Sequence, residues 1–111
     1  MTKKSLLLFR EYYQKNLSGI LKESQEYDSD LIFVTQSVSN KHWLASYLDI
    51  LNNFTLDFCK IEKLTCFQVE SDFLDLHDSY FYDGIHTTPE GSKLIGEFIA
   101  AKFNDYYFNI K

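Results

Sequence analysis

The chain is poor in the residues that break or loosen structure: one proline and four glycines among 111 positions. That scarcity excludes a collagen-like repeat and argues against disorder, the more so because 45% of the residues are hydrophobic, with ten Phe and eight Tyr. It also lacks a basic block: Lys and Arg total 11 against 16 Asp and Glu, a net charge of -5. Without a positive patch there is no electrostatic footprint for a phosphate backbone, so nucleic acid is not an expected partner. Long apolar runs are missing as well. The stretch Leu6 to Phe9 follows Lys3 and Lys4 like a short signal sequence, but Arg10 and Glu11 end it after four residues, and it reads better as one face of a helix. No window approaches the roughly 20 apolar residues of a membrane span. With neither signal peptide nor span, the cytoplasm is the default expectation. Cysteine is scarce too. Cys59 and Cys66 are too few for a zinc site of ordinary spacing and read first as semi-buried thiols, with a disulfide as the alternative. They do not fix the compartment.

What is present alternates in period. Leu6, Phe9, Tyr13, Leu17, Ile20 and Leu21 recur at the spacing of one helix face, predicting a helix over residues 5–27. Asp28-Ser29-Asp30 ends it, and "LIFVT" (31–35) is a continuous apolar run of the kind found in strands buried on both faces. Ser39 or Asn40 offers an N-cap for a second helix with Leu44, Tyr47, Leu48, Leu51, Phe54 and Phe58 on its apolar side. "LTCFQV" (64–69) predicts a second strand, and residues 70–82 a loop with at most one helical turn. A final helix starts in one of two frames, Thr87 with Glu90 as a capping box or Thr88 as N-cap with Pro89 at the first helical position. Leu94, Ile95, Phe98, Ile99 and Phe103 form its inward face, and the "YYF" that follows should pack it down or meet a partner. The order is that of a single α/β domain with a parallel sheet. Two strands, however, are few for a sheet with helices on both faces, so the chain reads as the second half of a larger fold.

One turn carries candidate chemistry. Asp83 and His86 are three apart in "DGIH", near enough for the carboxylate to accept a hydrogen bond from one imidazole nitrogen, fix the tautomer and leave the other nitrogen free to take a proton. Gly84 permits the turn. The plainer account is a surface loop whose Asp and Thr side chains cap the following helix. His42 and His77, with Asp75 and Asp78 nearby, lack the paired spacing of metal ligands, and neither a metal nor another cofactor is expected. Trp43, Tyr80, Phe81 and Tyr82 suit either core and loop anchors or the wall of an acyl pocket.

The longer string "DGIHTTPEGSKLIGEFIA" (83–100) resembles the last block of the SGNH, or GDSL-type, hydrolases, an Asp-x-x-His followed by a polar, proline-containing stretch, a glycine and an amphipathic helix. Asp83, His86, Pro89 and Gly91 match it in order. "LIFVTQSV" and "LTCFQVESDF" are similar to the family's last two parallel strands, so the resemblance extends over most of the chain. It implies a flavodoxin-like three-layer α/β/α fold and metal-free hydrolysis or transfer of an acyl or acetyl ester, on a carbohydrate or lipid, with His86 as base and Asp83 as its orienter. The family's Gly-Asp-Ser-type block, oxyanion-hole glycine and Gly-x-Asn-Asp-type block have no counterpart here. Ser37 and Ser39 are the local serines at the end of the first strand, and both read as turn and cap residues. The expectation is therefore a C-terminal portion that supplies Asp83 and His86 to a serine outside the chain and is inactive alone. A missing N-terminal half, or a second copy, would complete the sheet. The alternative is a truncated, non-catalytic α/β module used for packing or partner binding.

Overall fold

A computed structural model describes residues 2–37, 43–69, 78–83 and 86–109. Its elements are helix α1 (Lys3–Glu26), strand β1 (Ile32–Val34), helix α2 (Ala45–Glu62), strand β2 (Thr65–Phe67), a short 3-10 turn (Asp78–Tyr80), helix α3 (Pro89–Asn104) and a terminal π turn (Asp105–Asn109). β1 and β2 pair in parallel, with Phe33 opposite Cys66. The result is a small, mostly helical α/β fold, with the elements in the order the periodicities predict.

Local chemistry sets the helix ends. Thr2 caps α1 by accepting from the Ser5 N–H at 3.0 Å, satisfying one of the unpaired N–H groups of the first turn. Asp28 (φ 52°) and Lys63 (φ 57°) take left-handed conformations just past α1 and α2. At each point a later N–H turns back to the helix, Ser29 to the Ser24 carbonyl and Leu64 to that of Cys59, both at 2.8 Å. The expected caps Ser39 and Asn40, and His42, lie outside the described residues; α2 begins at Ala45 after Leu44, without a side-chain cap.

The core lies between α1, α2 and the strand pair. Phe54 of α2 meets the rings of Phe9 and Tyr13 on α1 at 5.8 and 6.1 Å, while Phe33 of β1 stands edge-on to Phe58 of α2 at 6.1 Å. Leu17, Phe54, Phe58, Phe67, Val69 and Phe81 are buried. Three residues assigned inward by periodicity are instead exposed: Ile20, Tyr47 and Phe103. Each lies on a helix face that the described residues cover only in part. Of the "YYF" aromatics, Tyr107 donates to Asp30 Oδ2 at 3.2 Å and stacks near Phe103 at 4.3 Å, so the chain end is tied to the turn after α1. Phe108 stays exposed.

Cys59 and Cys66 form a disulfide, with Cα atoms 6.3 Å apart, which corrects the preference for free thiols. The cause is geometric. Lys63 reverses the chain directly into β2, so the inward face of the last turn of α2 meets the α2-facing side of β2 at a separation inside the usual range of about 4.4–6.8 Å. Disulfides persist in oxidising compartments and are rare in the cytosol, so this pair does not sit with the cytoplasmic default. Among the described residues no helix is long and apolar enough to cross a membrane.

Side chains take over where the two strands end. Thr35 Oγ1 accepts from Val69 N–H at 3.0 Å and donates to the Phe67 carbonyl at 3.3 Å. The buried Asn52 amide binds both backbone groups of Gln36, accepting from its N–H at 3.0 Å and donating to its carbonyl at 2.8 Å. In effect Asn52 extends β1 with a side chain where no further strand pairs among the described residues. Asn52→Ala should therefore cost about 1–2 kcal/mol in urea unfolding, whereas Asn53→Ala on the exposed side of the same helix should stay within about 0.5 kcal/mol.

Candidate functional site

The site is built from the chain on either side of the Asp-x-x-His turn. Phe81 and Thr87 form an antiparallel bridge, flanked by hydrogen bonds from Tyr82 N–H to the His86 carbonyl and from Thr88 N–H to the Tyr80 carbonyl, both 2.8 Å. Phe81, 6% exposed, anchors the loop in the interior, whereas Tyr82 projects outward. Tyr82, Asp83 and His86 thus lie just beyond the bridge that closes the base of the loop. Gly84, the glycine expected to permit the turn, lies outside the described residues.

At the tip one carboxylate holds His86 twice. Asp83 Oδ1 accepts the His86 backbone N–H at 2.8 Å, and Oδ2 accepts the ring Nδ1–H at 2.6 Å. An ionised carboxylate only accepts, so the neutral imidazole carries its proton on Nδ1 and presents a lone pair at Nε2. Both side chains are open to water, 75% exposed for His86 and 54% for Asp83, so the pair is screened and its electrostatic contribution to stability is small. The arrangement can orient an imidazole and accept a proton at Nε2.

The helix that follows selects the second of the two predicted capping frames. Thr88 is the N-cap, its hydroxyl accepting from Gly91 N–H at 3.2 Å with Pro89 in the first turn, while Thr87 pairs with Ser92 through their hydroxyls. Helix capping is thereby done by Thr88, and Asp83 is engaged with His86. Gly91 is the residue whose role periodicity does not reveal. A Cβ there would run into the Tyr80 carbonyl oxygen and stand 3.0 Å from Tyr80 Cβ and 3.3 Å from Thr87 Cβ. The missing side chain lets the first turn of α3 lie against the base of the loop.

The structure brings Asp83 and His86 together and adds no third member. Among the described residues no serine hydroxyl bonds to His86. Ser37 follows the end of β1 in a half-buried position; Ser39, His77 and Asp75 lie outside the described residues, as does the side chain of Asp78. No cluster of His, Cys, Asp and Glu suited to a metal occurs among the described residues. Of the aromatics considered for an acyl pocket, Phe81 is an interior anchor, and Trp43 and Tyr82 are exposed. No protein-family model, no curated protein and no solved structure matches the chain.

The Gly91 seam gives a paired expectation. Gly91→Ala should destabilise the fold by about 1–3 kcal/mol through overpacking and broaden the His86 ring resonances in NMR spectra. Gly96→Ala, where a Cβ meets nothing within 4 Å, should instead stabilise α3 by about 0.5–1 kcal/mol in the same denaturation experiment.

Proposed function

We propose that this chain supplies the base and its orienter to an ester hydrolase of the SGNH type, whose nucleophilic serine and oxyanion hole come from outside these 111 residues. The observation that carries the proposal is the double grip of Asp83 on His86, which leaves Nε2 as the proton acceptor. The helix and strand order, with its parallel strand pair, is compatible with the last part of a flavodoxin-like three-layer sheet. In that role His86 Nε2 takes the serine proton as the serine oxygen attacks the ester carbonyl. It then delivers the proton to the departing alcohol, and water repeats the cycle on the acyl-enzyme. Asp83 steadies the imidazolium that forms at each step. The substrate class is an acyl or acetyl ester, on a carbohydrate or a lipid. An Asp–His pair with neither a nucleophile nor preorganised oxyanion donors lacks the groups that provide most of the rate enhancement.

A second account, a non-catalytic packing or binding module, draws on the open solvent around His86. An aryl acetate assay separates the two. The isolated chain should hydrolyse no faster than its His86→Ala variant; a His86-dependent rate would overturn the missing nucleophile. A longer polypeptide read from same-frame DNA upstream of Met1, carrying a strand followed by Gly-Asp-Ser, should hydrolyse the ester. In it His86→Ala should lower kcat by roughly 10³–10⁶ and Asp83→Asn by roughly 10²–10⁴. An ordinary intergenic sequence at that place, or full activity after His86→Ala, would sink the proposal.

A further inference from the structure

We propose that the free edge of β1 is a self-association surface, which a second copy of this chain covers by antiparallel pairing across a twofold axis. The proposal is argued from the strand alone and uses nothing of the Asp83–His86 pair.

The strand's own geometry identifies the edge. Thr35 N–H donates to the Phe67 carbonyl at 3.0 Å, so Phe33 and Thr35 turn their backbone groups toward β2. By alternation Ile32 and Val34 turn theirs the other way, where no strand is paired among the described residues. Their side chains share a face as well. Phe33 packs on Phe58 of α2, which leaves Ile32 and Val34 on the sheet face away from α2, and Val34 is 43% exposed. Parallel sheets normally bury both faces, and here an apolar strip of one face remains open.

Nothing in the strand guards it. Isolated edges are ordinarily protected by Lys, Pro or a bulge, yet Leu31 through Ser37, "LIFVTQS", contains no charge and no proline. The surface is also larger than a lone chain should keep. The accessible area is 8005 Å², whereas a folded monomer of 13.1 kDa exposes about 6,400 Å². The radius of gyration is 15.4 Å against about 13 Å for a compact chain of this length. An excess of about 1,600 Å² per chain is enough to supply the 2,000 Å² or more, counted over both partners, of obligate homodimers.

A second copy suits this edge because twofold symmetry avoids its flanking charges. Pairing centred on Phe33 sets Ile32 of one copy opposite Val34 of the other, and their outward N–H and carbonyl groups then exchange hydrogen bonds. Asp30 falls opposite the uncharged Gln36. Parallel pairing in register would instead stack Asp30 on Asp30.

Sedimentation of the intact chain should show a species of twice the chain mass at about 100 µM that dissociates on dilution. Val34→Lys puts a charge on a position already open in the monomer, so it should keep the circular dichroism of the parent while weakening association at least tenfold, roughly. Amide exchange supplies a test that needs no variant: the Ile32 and Val34 amides should slow as concentration rises, while those of Phe33 and Thr35 stay protected throughout. A chain that is monomeric at every concentration would overturn the proposal. So would an open-ended assembly, edge amides indifferent to concentration, or an unchanged dimer in a folded Val34→Lys variant.

Discussion

The close approach of loop and helix at Gly91 governs everything that the Asp83–His86 pair can do. A hydrogen bond between two side chains as exposed as these competes with water and is weak by itself. It persists in one geometry because the backbone beneath it is closed: the Phe81–Thr87 bridge fixes the width of the loop, buried Phe81 fixes its depth, and Thr88 binds its exit to the first turn of α3. All three lie beside the Tyr80 carbonyl, which sits so near Gly91 that a Cβ there would collide with it. The oriented imidazole is thus a property of chain packing, to which the carboxylate adds the choice of tautomer.

Much of the fold is legible in the sequence because it follows from period alone. The apolar faces of α1 and α2, the two uncharged runs that become β1 and β2, and the cap before α3 all depend on neighbours within a few residues. What period does not reveal depends on contacts across the chain. Asn52 looks like an ordinary polar position until Gln36 lies beside it, 16 residues away in sequence. The disulfide depends on Lys63 accepting a left-handed conformation that favours glycine or asparagine. Ile20, Tyr47 and Phe103 fall on apolar faces and are still exposed, because a helical face signals what must be covered without naming the cover. The Asp83–His86 contact is legible as a spacing; its closed loop and the reason for Gly91 are not, since both rest on the bridge between Phe81 and Thr87.

The same incompleteness links the sheet to the site. A parallel pair of strands is stable when both faces are packed, and here α2 covers one face while Val34 opens on the other. Around His86 the imbalance repeats on a smaller scale, with the ring steadied from one side by Asp83 and open to water on the rest. Electrostatic preorganisation is effective in proportion to the water it excludes, so any chemistry at Nε2 requires another surface to close over it.

The two deficits need not be met by the same partner. Antiparallel pairing at β1 points the second copy's strand the opposite way, which carries that copy's β1 C-terminus toward the N-terminal end of the first. Ligands of open parallel α/β sheets sit at the carboxyl ends of the strands, and a twofold dimer of the proposed kind separates the two copies' carboxyl ends. Under the proposed hydrolase role, a segment that delivers a nucleophile to His86 must approach from elsewhere or compete with the second copy for the edge. Burying Val34 and, under the proposed hydrolase role, completing a triad are in that sense distinct demands on the chain.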